Sequence, residues 1–359
     1  MKFVSLINGK IAKSKDASVV LNVFDYMQVI VLDVIVKTAF DIDVIDVSKG
    51  DKDETLLLLN KLMANNDASV THFIYALPFV KHILNPLVNY VLPNGRKFDA
   101  FLRQTVERKI KEIKEQKVQS SQHSSSGESR RVSNEKVIDI LVRKYLEGEI
   151  TLDLIYANSL ATLIAGYDTT SLASTYVLWA IAKHPGIQEK LRIDIQLHGT
   201  ESEYLEMVLK ENLRLFPVTA NFLMRSPSED IIVGGRYKIL KHSIVTYNYA
   251  DVHHNAEYWP DPMRFDPERF APGKTYDKMT FVPFGAGHRV CIGYRLAIKE
   301  LKLIVTHILR NYRLELVTPQ QMERKVKSYF NSQPSESVKV RFCSLASQNG
   351  SPLKISSTV

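Results

Sequence analysis

Two cysteines in 359 residues are too few for a disulfide framework. A membrane-spanning run is also missing. The apolar stretch Val19 to Phe40 is broken by Asn22, Asp25 and Asp33 and is too polar to span a bilayer. No signal peptide is apparent, since Met1 and Lys2 lead into Asn8, Lys10, Lys13 and Lys15 without a long apolar core. No internal repeat is visible. Basic residues are scattered among acids, as in Arg103 to Lys117, with no aromatic-basic stripe, which argues against a nucleic-acid partner. What is present is an ordinary globular balance, 45% hydrophobic and 24% charged, with ample material for a core. The formal net charge of +8 fits simple solubility, or docking to an acidic protein or an anionic membrane surface.

Helical spacing dominates the chain. Val29 to Phe40 places Leu32, Ile35, Val36 and Phe40 on one face. A turn at Gly50 to Asp53 precedes a second helix, Glu54 to Met63. Leu102, Val106, Ile110 and Ile113 stripe a long charged helix. Lys117 to Lys136 is Ser-rich and polar and predicts a flexible linker. Leu152 to Lys183 is the longest helical pattern, with Thr151 as candidate N-cap and His184-Pro185-Gly186 as its end. Tyr204 to Phe216 is a further helix, closed by Pro217.

Chemistry concentrates around Cys291. Phe284, Gly285, Gly287, Arg289, Cys291 and Gly293 form F-G-x-G-x-R-x-C-x-G ahead of an apolar-periodic helix. A thiolate is a nucleophile and a metal ligand, and a helix N-terminus favours the anion. The glycines permit backbone turns that aim N–H groups at a sulfur. A lone cysteine can equally be a buried small hydrophobe.

This loop resembles the haem-ligand loop of the cytochrome P450 family, and the likeness runs from about Leu32 to Phe342. It implies a mainly α fold with small β-sheets. Length alone suggests about two domains, but motifs that converge on one cofactor favour a single domain over residues 1–359, with 117–136 as a linker inside it. It also implies haem b as cofactor, with Cys291 as the iron ligand, Phe284 and Gly285 in the loop, Gly293 letting the helix approach, and Arg289 on a propionate.

Further motifs extend the resemblance. Ala165-Gly-Tyr-Asp-Thr-Thr170 matches the family's oxygen-activating helix, with Ala165 beside haem and Asp168 and Thr169 handling protons. Gly166 would let that helix sit close to the porphyrin. Thr169 could instead bond back to the preceding turn. Glu211 and Arg214 match the family's E-x-x-R, and Pro267-Glu-Arg-Phe270 supplies Arg269 to a buried charged lock. Spacing alone does not choose Glu211/Arg214, because Glu128/Arg131 and Glu189/Arg192 share it. Thr219, Ala220, Asn221, Phe222 and Phe330 would line a substrate pocket, and Arg225 would meet a propionate. Phe73 to Pro93 would form a pocket roof touching the bilayer, or a core helix pair. His253 and His254 suit neither metal ligation nor a shared strand face and read as structural.

Three departures stand out. The family's N-terminal part has no counterpart, so the expectation is an N-terminally incomplete member with one haem edge open. Gln188 to Tyr204 is short, and Lys238 to His242 replaces a turn that normally carries glycine. The resemblance implies a monooxygenase acting on an apolar small molecule. Electrons would come from NADPH through a reductase, or from cytochrome b5. The setting would be the cytosolic face of the endoplasmic reticulum, with peripheral membrane contact. A peroxide isomerase of the thromboxane synthase type is a second reading, and a catalytically impaired haem-binding fragment is a third.

Overall fold

Three helix starts are legible in their first residues. The computed structural model describes residues 2–14, 16–41, 93–122, 135–219, 223–317, 324–326, 332–334 and 336–345. The chain divides into two compact units, residues 7–23 with 172 onward, and residues 2–6 with 24–171. The helices are α1 (Lys2–Ile11), α2 (Val23–Phe40), α3 (Pro93–Gln122), α4 (Val137–Leu146), α5 (Leu152–Lys183), α6 (Pro185–His198), α7 (Glu203–Leu215), α8 (Tyr249–His253) and α9 (Tyr294–Asn311). Thr151 Oγ1 accepts from the Leu154 N–H at 3.3 Å at the start of α5, and Ser202 Oγ accepts from the Leu205 N–H at 2.9 Å at the start of α7. Pro185 opens α6 at its first turn, where a missing N–H costs nothing.

The unit containing residues 24–171 packs α2, α3, α4 and the first part of α5 around Leu102, Val106, Ile138, Val142, Ile155 and Tyr167, all buried. The side chain that Gly166 lacks is space taken by α2. A Cβ there would lie 2.7 Å from Ile35 Cδ1. Gly166 therefore lets α5 pack closely against α2 in its own unit, a contact not foreseen from the sequence. α3 also continues to Gln122, into the stretch expected to be a flexible linker. Residues 117–122 contain no Gly or Pro to end the helix. The rest of that stretch up to 134 lies outside the described residues, as do the expected elements between Gly50 and Met63 and between Phe73 and Pro93.

The other unit joins helices to small antiparallel sheets. β1 (Ser18–Asn22), β9 (Lys339–Ser344) and β6 (Tyr312–Leu316) form one sheet in the order β1-β9-β6. Its register pairs Ser18 with Cys343 and Leu314 with Phe342. Tyr312, Leu314, Val340 and Phe342 are buried in it. The Gln188 amide of α6 clamps this sheet, donating to Leu314 O at 2.9 Å and accepting from Leu314 N at 2.8 Å. Two-stranded sheets pair β2 (Leu223–Arg225) with β5 (Val245–Tyr247), β3 (Ile231–Val233) with β4 (Tyr237–Ile239), and β7 (Arg324–Val326) with β8 (Ser332–Pro334). The fold is thus mainly α with small antiparallel sheets, as expected. Among the described residues no helix is long and apolar enough to cross a membrane.

Candidate active site

The Cys291 loop is built from local backbone geometry. Gly285 and Gly287 adopt φ of +74° and +69°, a left-handed region that L side chains enter only at a cost. The chain can therefore fold back, and the Cys291 N–H donates to Phe284 O at 2.8 Å. Gly287–Arg289 form one 3₁₀ turn, which leads into Cys291 and then α9. A Cβ on Gly293, the residue preceding α9, would lie 4.0 Å from Cys291 Sγ. The sulfur is thus turned toward the N-terminus of an 18-residue helix, where unpaired N–H groups favour an anion. Cys291 is exposed, while Cys343 is half-buried. Val290 and Ile292 on either side of the thiol are exposed apolar side chains. Arg289 is exposed, and Phe284 is half-buried with its ring 6.2 Å from that of Tyr294.

Behind this loop lies a charged cluster sealed from solvent. Glu211 and Arg214 are 0% exposed. Arg214 makes a two-pronged contact with Glu211, Nε to Oε2 at 2.7 Å and a terminal nitrogen to Oε1 at 2.9 Å. Its guanidinium also donates to His253 O at 2.7 Å and Pro262 O at 2.8 Å. Glu211 Oε1 accepts from the Asp266 N–H at 2.8 Å and lies 3.4 Å from Arg269 Nε. Arg269 in turn donates to Asp261 O at 2.6 Å. Glu211, Arg214 and Arg269 therefore meet in one network, in which Arg214 and Glu211 are hydrogen-bonded and Arg269 Nε is held by charge alone, with no hydrogen-bond partner among the described residues. The same spacing at Glu189 and Arg192 gives only a surface pair, 54% and 25% exposed. Burial separates the two where spacing could not. Glu128 and Arg131 lie outside the described residues.

On α5, the Thr169 hydroxyl donates to Ala165 O at 2.6 Å, the back-bond that the sequence left open. Asp168 is buried, and Thr169 is half-exposed on the neighbouring face. Burial pushes the Tyr167 phenol pKa up, with the charges of Asp168 and Asp25 adding to it. Arg225 ends β2 exposed and donates to Met224 O at 2.8 Å. Thr219 is tied to Tyr249, whose hydroxyl donates to Thr219 O at 2.8 Å. Ala220, Asn221, Phe222 and Phe330 lie outside the described residues.

His253, read from the sequence as structural, has a partner the sequence did not name, and Glu300 escaped the sequence reading. His253 is fully buried with its Nε2 on the Val282 N–H at 3.1 Å, a link between residues far apart in sequence that no periodicity signals. Glu300 sits in α9, 6% exposed, with Oε1 lacking a hydrogen-bond partner among the described residues. Burial raises its pKa to about 8. Its place on the buried stripe with Leu301 was the one available clue.

The profile of the family described as Cytochrome P450 matches residues 4–341. Cytochrome P450 3A31 of Mesocricetus auratus is 37% identical over 197 residues, which is 51% of this chain and 39% of that protein. Cytochrome P450 3A12 of Canis lupus familiaris is 29% identical over 349 residues, 93% of this chain and 66% of that protein. Cytochrome P450 3A7 of Homo sapiens is 31% identical over 312 residues, 82% and 59% of the two chains. The chain spans between about two fifths and two thirds of the length of these curated relatives.

Proposed function

This chain belongs to the cytochrome P450 family, and we propose that it is a haem-thiolate monooxygenase. It inserts one oxygen atom of dioxygen into an apolar small molecule, with electrons from NADPH delivered by a reductase. The observation that carries this reading is the Cys291 loop: an exposed sulfur facing a helix N-terminus, in a turn that two left-handed glycines permit.

The residues suit haem b. Cys291 supplies the thiolate, and the exposed Val290 and Ile292 give an apolar surface beside it. Arg289 and Arg225, both exposed, are the cations for propionates. Haem, held by the Cys291 thiolate, would supply the reductive activation of dioxygen. Asp168 and Thr169 hold and pass protons on the substrate side. Donation to Ala165 leaves the lone pairs of the Thr169 oxygen as acceptors. Thr219 is the described residue we assign to the substrate pocket; the others expected there lie outside the described residues.

A groove of about 560 Å³ near the cysteine loop supports a protein electron donor. Leu209, Leu213, Phe284 and Ile298 line it together with Lys210, Arg295, Lys299 and Lys302, and with Glu201 and Glu206, of which Glu206 pairs with Lys210 and Lys302, so the charged lining keeps an excess of cations. Such a lining attracts an acidic partner, a reductase or cytochrome b5. The reading includes a setting at the cytosolic face of the endoplasmic reticulum and a single haem domain.

The test is oxidation of an apolar probe by the haem-loaded chain with isotopically labelled dioxygen. Incorporation of one labelled atom that requires both NADPH and reductase supports the reading. Turnover of a peroxide substrate without reductase, and no labelled product, contradicts it.

A further inference from the structure

Between the buried charges and the cysteine loop stands one imidazole. His253 is the last residue of α8 and is fully buried. Its carbonyl accepts from Arg214 at 2.7 Å. Its ring packs against Tyr249 and Phe281, with centroids 5.5 Å and 5.6 Å away. Its Nε2 meets the Val282 N–H at 3.1 Å. An amide can only donate, so Nε2 carries the lone pair and the proton of the neutral ring sits on Nδ1. Nδ1 has no partner among the described residues. Burial, with the charges of His254 and Arg214, lowers the His253 pKa to about 4, so the acceptor persists through the neutral range.

We propose that His253 is the positioning residue that couples the Glu211–Arg214–Arg269 network to the cysteine loop, by holding the Val282 main chain. This rests on the haem-thiolate reading above. Arg214 fixes the His253 backbone, and the ring fixes Val282. Two residues on, Phe284 O receives the Cys291 N–H. Val282 is itself buried. Without an acceptor at Nε2 its N–H would be orphaned away from water. Phenylalanine fills the ring's volume but provides no lone pair. Glutamine reaches the Nε2 position with an oxygen. Asparagine is one methylene shorter and does not reach it.

The test compares the full chain with His253→Phe, His253→Gln and His253→Asn by amide hydrogen exchange and by the spectrum of the reduced carbon monoxide complex. His253→Phe and His253→Asn lose at least tenfold protection at the Val282 and Cys291 amides and lose part of the thiolate-type Soret band. His253→Gln retains both. Unchanged exchange at Val305 and Leu309 in α9 shows that the variants fold. If His253→Phe unfolds, the Gln and Asn pair decides. Equal protection at Val282 in Gln and Asn, or parent-level protection in Phe, overturns the proposal. The exchange readout needs no haem. A parent without any thiolate-type band would therefore contradict the haem-thiolate reading alone, with the coupling still decided at Val282.

Discussion

The Cys291 N–H donates to Phe284 O at 2.8 Å, closing the loop that presents the sulfur. The closure depends on a left-handed backbone at Gly285 and Gly287. It does not depend on crowding at Gly287, since an added Cβ there would meet nothing within 4 Å.

Gly287→Ala therefore isolates backbone strain. It should cost about 1–2 kcal/mol in urea unfolding, from the left-handed conformation alone. A cost near zero would mean that the loop is not held in this form.

The two Glu/Arg pairs of equal spacing should behave differently. Glu211→Ala leaves Arg214 buried without its carboxylate and should cost about 3–5 kcal/mol. Glu189→Ala breaks a surface pair and should cost about 0.5 kcal/mol or less. Haem titration of the two variants checks the functional side, with loss of normal incorporation expected for Glu211→Ala only.

His242 occupies φ +63°, at the turn where the family's usual glycine is missing. Its N–H donates to Pro227 O at 2.9 Å, which fixes the turn. His242→Gly should stabilise by up to about 1 kcal/mol, the strain relieved less the added freedom of the unfolded chain. His242→Val should destabilise, because a β-branched side chain is least tolerant of this region. Paired thermal melts give the order Gly, His, Val.

Glu300 sets a pH dependence of unusual sign. Its folded pKa of about 8 lies above the ordinary 4.5, so the folded protein holds a proton that the unfolded chain releases. Stability falls as pH rises between those values. Glu300→Gln removes the ionisation, and its stability advantage over the parent should grow by about 3 kcal/mol from pH 4.5 to pH 7. His253 acts oppositely between its folded value of about 4 and the ordinary 6.5, where stability rises with pH. Being common to both proteins, it cancels in the difference. A pH-independent advantage would contradict the assignment to Glu300.

Helices with a continuous apolar face and strong ends were readable in advance. Leu152–Lys183 has the expected bounds, because Thr151 and Pro185 mark them chemically. The turn ending at His242 was also legible as a glycine lost, and the backbone there is indeed left-handed. Other features depend on partners that sequence does not name. Gly166 faces Ile35 from another helix. The His253–Val282 bond joins elements with no shared period. The choice of Glu211 over Glu189 required burial, which equal spacing cannot encode. The strands β2 to β5 are only three residues long, too short for alternation to register.

The central claim is that the Cys291 sulfur grips haem iron, and the absorption spectrum of the reduced carbon monoxide complex tests it most directly. The haem-loaded parent should give the red-shifted Soret band of thiolate ligation, and Cys291→Ser should abolish it while Cys343→Ser leaves it intact. The same band persisting in Cys291→Ser, or a parent that takes up haem without it, would contradict the claim.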